Sequence, residues 1–382
     1  MSAKPNMRLL GLLSLGHMVI DINGGALPAL LPFLKSSLSL SYTTSGVIIL
    51  MSNITSSLVQ PVFGYFADKT ARRWLLPASV LLSAVGIALT GLTNSYAMVL
   101  ALVVISGLGI ASYHPEGYRA ATQVAGARKA TGVSIFSTGG NIGIALGPPL
   151  ITALVTAFGL IGSLGMLIPG LVVALFLTAA LPKFTPAAPL HTSAASGTLA
   201  STSVAGMTVL ILMVALRSWT HIGFSVFVPM YHIDVMKGDP RMVGTLLAIF
   251  LGAGALGTLV AGPIADRVGA RRYAVSVFLL STPIAVAYLF SQGIWSYLIL
   301  GALGFVLMST FTVTVVLAQS YMPHNLGMAS GLIVGFATGA GGVGVTVLGW
   351  VADLWGLPTA LWISALMPLT AFAVSLFLPD PD

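Results

Sequence analysis

Cysteine is absent from the 382 residues, which excludes disulfides and thiolate metal sites. Charge is nearly absent as well. Asp, Glu, Lys and Arg make up 7% of the chain, where a soluble domain carries about 25%. That supply cannot cover a water-facing surface, so most of the surface must face lipid. Acidic residues are the scarcer sign, with 9 Asp and Glu against 16 Lys and Arg. The resulting net charge of +7 does not point to nucleic acid, because the basic residues are scattered between apolar runs. A cleavage site is missing too. Behind the basic start MSAKPNMRLL the apolar stretch runs on past Leu30, beyond the 7–15 residues of a signal-peptide core. It is expected to stay as a first membrane helix.

What the chain does have is apolar length. It is 57% hydrophobic, with a mean hydropathy of +1.00 and 43 glycines, and small residues let membrane helices approach closely. A spanning helix needs about 20 apolar residues. By that measure spans are predicted at 8–34, 43–66, 74–93, 96–121, 130–158, 160–181, 207–234, 241–265, 273–291, 294–320, 326–353 and 357–378. Residues 182–206, rich in Pro, Ser, Thr and Ala, read as a flexible cytoplasmic linker. The expected fold is therefore all-α and membrane-integral, with twelve transmembrane helices in two six-helix bundles, 1–181 and 207–382.

The two halves echo each other. GYFADKTARR ends the second span and GPIADRVGARR the eighth, so that Gly64 matches Gly262 and Asp68 matches Asp266. TGVSIFSTGGNIG in the fifth span has a counterpart, SGLIVGFATGAGG, in the eleventh. An internal repeat of six spans marks a transporter whose site lies between similar halves. Loop charges set the orientation. One side gathers Lys4, Arg8, Lys69, Arg72, Arg73, Arg119, Arg128, Lys129, Lys183, Arg267, Arg271 and Arg272; the other holds Lys35, Lys237 and Arg241. Both termini are expected to be cytoplasmic, in a cell (inner or plasma) membrane.

Twelve spans arranged six plus six, with G-x-x-x-D-(R/K) after spans 2 and 8, resemble the major facilitator superfamily over the whole chain. The resemblance implies that Gly64, Asp68, Arg72, Arg73, Arg119, Gly262, Asp266 and Arg267 form a cytoplasmic latch between the halves. The alternative is that the Lys and Arg residues only anchor topology. Asp68 and Arg72 at i,i+4 share one helix face and can pair. GHMVIDINGGALPALLPFL in span 1, YHPEGYRAA in span 4 and STGGNIGIALGPP in span 5 are similar to the fosmidomycin-resistance family of drug exporters. Gly143, Gly147 and Pro148 match a motif associated with drug–proton antiporters. Span 4 departs from that pattern, offering Val103 where such antiporters often carry Arg.

An ionisable residue at membrane depth is a functional candidate, because placing a charge there costs several kcal/mol. His17 and Asp21 stand at i,i+4 in span 1, and Arg217 and His221 repeat the spacing in span 7. These spans are counterparts, so an acid–imidazole pair is expected to face an arginine–imidazole pair. The resemblance places spans 1, 4, 7 and 10 around the central cavity. Asp21 is then the expected proton carrier, and His17 shares the proton. Arg217 and His221 would hold substrate beside Asn23, Trp219, Phe224 and Tyr113, with Tyr231 as a further aromatic. A structural alternative pairs Asp21 permanently with Arg217 or a backbone group, where it only fixes helix packing. His114, Glu116 and Arg119 in span 4 read as part of the latch, with a proton relay through Glu116 as the other possibility.

No metal cluster at ligand spacing and no cofactor motif is legible; the coupling ion is expected to be the proton. Ser330 and His324 lack any surrounding nucleophile motif, so a hydrolase is not expected. The expected function is proton-coupled antiport exporting small drug-like or anionic molecules by alternating access. The alternative is symport of a small organic anion inward. Expected partners are a small-molecule substrate and the lipid bilayer, with no nucleic acid, for a monomer.

Overall fold

Each apolar run becomes a helix. The computed structural model describes residues 5–69, 72–126, 128–184, 203–323 and 325–380, and among these there are helices and turns but no strand. The helices are α1 (Met7–Leu38), α2 (Tyr42–Lys69), α3 (Leu75–Thr90), α4 (Tyr96–Val124), α5 (Lys129–Phe158) and α6 (Leu160–Ala180) in the first half of the sequence. The second half supplies α7 (Val204–Asp234), α8 (Val243–Val268), α9 (Ala270–Phe290), α10 (Ile294–Tyr321), α11 (Leu326–Trp355) and α12 (Leu357–Ser375). Among the described residues eleven helices are long and apolar enough to cross a membrane. The third is shorter than the sequence suggests: it has 16 residues, about 24 Å at 1.5 Å per residue. It stops where Gly91 comes against the Leu160 carbonyl, an approach that a Cβ would forbid.

Local chemistry sets the helix starts. The Asn6 side chain accepts from Leu9 N at 3.2 Å and opens α1; Ser203 accepts from Gly206 N at 3.2 Å and opens α7. Helix α7 thus begins three residues earlier than predicted, and most of the predicted linker lies outside the described residues. Two helices contain π-helical turns, Ile54–Leu58 in α2 and Leu332–Ala337 in α11. In α2 the Thr55 hydroxyl donates back to Met51 O at 2.8 Å, and Pro61 has no N–H to give to Ser57 O. Both weaken the regular ladder there.

Packing divides the chain into two units. The first comprises Met1–Leu40, Met51–His191 and Pro240–Thr245. Its core lies where α1 meets α4, α5 and α6, with Leu10, Leu13, Ile20, Tyr113, Phe136 and Leu177 at its centre. Helix α5 reaches α1 along a stripe of glycines: a Cβ on Gly139, Gly143 or Gly147 would strike the carbonyls of Ser14, Met18 and Ile22 respectively. This explains two members of the antiporter-like motif in packing terms. They let α5 lie against the backbone of α1.

The second unit comprises Ser41–Leu50, Thr192–Asp239 and Leu246–Asp382. Leu210, Val214, Phe278, Leu317 and Ile333 lie in its core. The start of α2 belongs to this unit and is held by a carboxylate. Asp353 accepts from Tyr42 N at 2.8 Å, Thr43 N at 2.9 Å and Thr43 Oγ1 at 2.5 Å, while Tyr42 Oη donates to Asp234 at 2.8 Å. A negative charge is favourable at a helix N-terminus. The glycine-rich stretch of α11 packs on α7, as its composition suggests: Gly341 faces Ser218 O and Ile222, and Gly344 seats the indole of Trp219.

Candidate functional site

The first unit gathers its intramembrane ionisable groups around Asp21. His17, one turn earlier on α1, places Nε2 3.2 Å from Asp21 Oδ2. His114, reaching across from α4, places Nε2 3.4 Å from Asp21 Oδ1. The i,i+4 pair was legible in the sequence; the third member was not. His114 was expected in a latch with Glu116 and Arg119. The structure corrects this, because residues 114 and 116 leave α4 in directions about 200° apart at 100° per residue.

His17 is fixed from every side. Its ring stacks on Phe136 of α5 at 4.2 Å and 24°, and meets His114 edge-on at 5.0 Å. Its Nδ1 lies 2.9 Å from Phe136 O. A carbonyl only accepts, so Nδ1 carries the proton. Gly140 forms the remaining wall, where a Cβ would stand 2.5 Å from Asp21 Oδ2 and 2.6 Å from His17 Nε2. Neither Phe136 nor Gly140 was predicted at the site. The donor atoms of His17, Asp21 and His114 lie within 4.8 Å of one another, close enough to share a cation. Their N···O separations also suit shared protons, and the hydrogen-bond pattern around His17 requires one.

Glu116 and Arg119 pair as expected. Arg119 Nε donates to Glu116 Oε2 at 3.3 Å, with a second bond from Nη2 to Oε1, and both residues are buried. Two arginines of the doubled charged motif make contacts within their own units. Arg73 donates through Nη1 to Leu181 O at 3.2 Å and also to Phe184 O. Its counterpart Arg271 donates through Nε to Leu378 O at 2.6 Å and pairs with Asp380 at 3.4 Å. Each arginine holds the chain just past the last helix of its half, close to that helix's negative end. Arg72 rests on the Phe66 ring at 5.4 Å. The Asp68 side chain lies outside the described residues, and so does the predicted Asp68–Arg72 pair. Asp266 and Arg267 are exposed, and added Cβ atoms at Gly64 and Gly262 would meet nothing.

In the second unit Arg217 is 1% exposed. Its Nη1 reaches Thr310 Oγ1 at 3.5 Å, its guanidinium leans on Phe311 at 5.4 Å, and Nε has no partner among the described residues. Among the described residues of its unit no carboxylate pairs with it, and Asp21 is held by histidines. His221, one turn on, stacks on Phe250 at 5.4 Å. Asn23, on α1 of the first unit, is fully buried, and both amide atoms lack partners among the described residues. Tyr113 and Phe224, expected against substrate, are fully buried and make packing contacts. The Tyr113 hydroxyl donates to Leu13 O at 2.8 Å, over Gly16, and Phe224 lies among Phe250 and Tyr288.

The chain matches the family model of the Major Facilitator Superfamily over residues 13–239 and 210–382. It is 33% identical to the uncharacterized MFS-type transporter YfnC of Bacillus subtilis, over 97% of this chain and 93% of that one. It is 30% identical to the fosmidomycin resistance protein of Escherichia coli, over 99% and 94%. Among solved structures, a bacterial homolog of the human lysosomal transporter Spinster, inward-facing and occupied, superposes with a TM-score of 0.78 at 15% identity, covering 99% of this chain and 95% of that one. The nucleoside transporter NupG gives 0.77 at 16%, covering 97% and 99%. With the family model matched from end to end, this multi-pass membrane protein belongs to the Major Facilitator Superfamily.

Proposed function

We propose that this transporter is a proton-coupled antiporter that exports small anionic or drug-like molecules by alternating access, in a cell membrane, with both termini cytoplasmic. The observation that carries the substrate class is Arg217. An arginine stays protonated at any physiological pH, and a buried charge without a partner is expensive. Among the described residues of its unit Arg217 has a long bond to a hydroxyl and an aromatic face, so an anionic group of the substrate is assigned as its counter-charge. The planar guanidinium suits a carboxylate or phosphonate that can accept two hydrogen bonds.

Proton coupling falls to the cluster on α1 and α4, where Asp21 lies between two imidazoles. Glu116 is closed by Arg119, which leaves it the weaker candidate. Export is favoured over uptake by the likeness to the fosmidomycin resistance protein. Arg217 would serve an anion moving in either direction, so inward symport of an organic anion remains the second reading.

The test is transport in proteoliposomes under an imposed pH gradient, with fosmidomycin (a phosphonate), a lipophilic cation and a neutral analogue. Accumulation of the phosphonate driven by protons moving the opposite way supports the proposal. Accumulation with protons moving the same way supports symport, and transport indifferent to the gradient removes proton coupling altogether.

A further inference from the structure

We propose that His114 is the group at which the coupled proton arrives and leaves, while His17 and Asp21 keep a resident proton between them. This rests on the proton-coupling reading above and deepens it by naming the atom.

The case is a count of donors and acceptors. His17 Nδ1 faces the Phe136 carbonyl at 2.9 Å and must donate to it. His17 Nε2 faces Asp21 Oδ2 at 3.2 Å. A proton must lie between those two atoms, as an imidazolium beside a carboxylate or as a neutral ring beside a carboxylic acid. Either way the pair holds one proton and has no net charge. Removing it would leave two lone pairs facing each other inside the bundle, with His17 4% exposed. An unmade hydrogen bond at a buried polar group is costly, and the stacked ring cannot turn away. The pair therefore retains its proton through the cycle.

His114 is under no such constraint. Its Nε2 lies 3.4 Å from Asp21 Oδ1, and a neutral ring with the proton on Nε2 satisfies that contact. Its Nδ1 has no partner among the described residues, and its side chain is 17% exposed against 5% for His17. A proton added to Nδ1 converts the ring to imidazolium without breaking any bond in the cluster. Asp21 then balances two cationic rings in place of one, and the net charge rises from zero to +1. Loss of the same proton restores the starting state.

The other groups around the cluster leave the task to His114. On its own helix, the Tyr118 hydroxyl lies 3.2 Å from Ser137 Oγ, Tyr113 is bonded to Leu13 O, and Glu116 is closed by Arg119. Among the described side chains α1 offers His17 and Asp21 here, α3 carries no ionisable group, and the part of α2 packed on α4 carries Tyr65, which is exposed. Helix α5 offers Phe136, Ser137 and Gly140, none of which titrates.

The test is nitrogen NMR of protein labelled with 15N in its histidine rings, in lipid nanodiscs, from pH 5 to 9. The His114 signal is assigned by its absence from His114→Gln. The His17 signal is assigned in the unmodified chain by its coupling through the hydrogen bond to a 13C-labelled Phe136 carbonyl. We expect Nδ1 of His114 to pass from bare to protonated as pH falls, while both nitrogens of His17 keep one protonation state throughout. A His17 signal that titrates while His114 stays constant would overturn the assignment and leave proton coupling at the cluster intact. If neither signal moves over the range, both the assignment and the coupling reading fall.

Discussion

Arg73 and Arg271 occupy matching places in the two repeats and grip the same feature, the backbone just past the last helix in each half. The chain past a helix end has no helical ladder to satisfy its carbonyls, and a fixed cation holds Leu181 O and Phe184 O in one half and Leu378 O in the other. The doubled motif therefore has a duty inside each unit that does not depend on any latch. Arg73→Ala and Arg271→Ala should each lower stability by about 1–3 kcal/mol, the range for charged hydrogen bonds. The melting temperature of the purified protein in detergent reads this. Arg→Lys should recover only part of it, since one ammonium cannot reproduce the guanidinium fork. Unchanged melting in both Ala variants would leave these arginines as topology anchors.

Gly140 and Gly143 are neighbours on α5 with different predicted consequences. An added methyl at Gly140 lands within 2.6 Å of His17 Nε2 and Asp21 Oδ2, so Gly140→Ala must push the pair apart. Proton-driven transport should be lost while helix content and detergent stability change little. At Gly143 the methyl meets the Met18 carbonyl, a rigid part of α1. Gly143→Ala should instead cost about 1–3 kcal/mol through overpacking. Transport and melting measured on both variants separate the two roles, and equal behaviour would mean that Gly140 is only a packing residue.

Helices and repeat were legible because a membrane span is a one-dimensional signal, a run of apolar residues bounded by charge. Within a helix the i,i+4 rule also held, giving His17–Asp21 and, at i,i+3, Glu116–Arg119. What failed was the rotation of one helix against another. Placing His114 on Asp21 needs the facing angle of α4 on α1, which Gly16, Tyr113 and the α5 glycines set by close packing. Counting along the chain grouped His114 with its sequence neighbours. Asp353 was missed for a related reason. Its partners Tyr42 and Thr43 stand at the far end of the chain, and nothing local marks a carboxylate that caps a distant helix.

Arg217 gives the clearest handle on charge selectivity. With no carboxylate paired to it among the described residues of its unit, Arg217→Ala should lose anionic substrates by about tenfold or more, the scale of one charge-assisted hydrogen bond. Neutral analogues should lose far less. Arg217→Lys should restore binding only partly. Equal loss of anionic, neutral and cationic ligands would make Arg217 a structural cation.

The central claim is that transport runs on a proton held at the Asp21 cluster. An Asn at position 21 keeps the shape and can still meet both imidazoles, but it has no charge to draw a proton to His114. The direct measurement is substrate-driven proton movement in proteoliposomes, read by a trapped pH dye, for the unmodified protein and Asp21→Asn reconstituted at equal density. The account predicts that adding fosmidomycin to one side moves protons the other way in the unmodified protein. Asp21→Asn should show no such movement while still exchanging labelled for unlabelled phosphonate. Proton movement of undiminished size in Asp21→Asn would contradict the account and shift attention to Glu116.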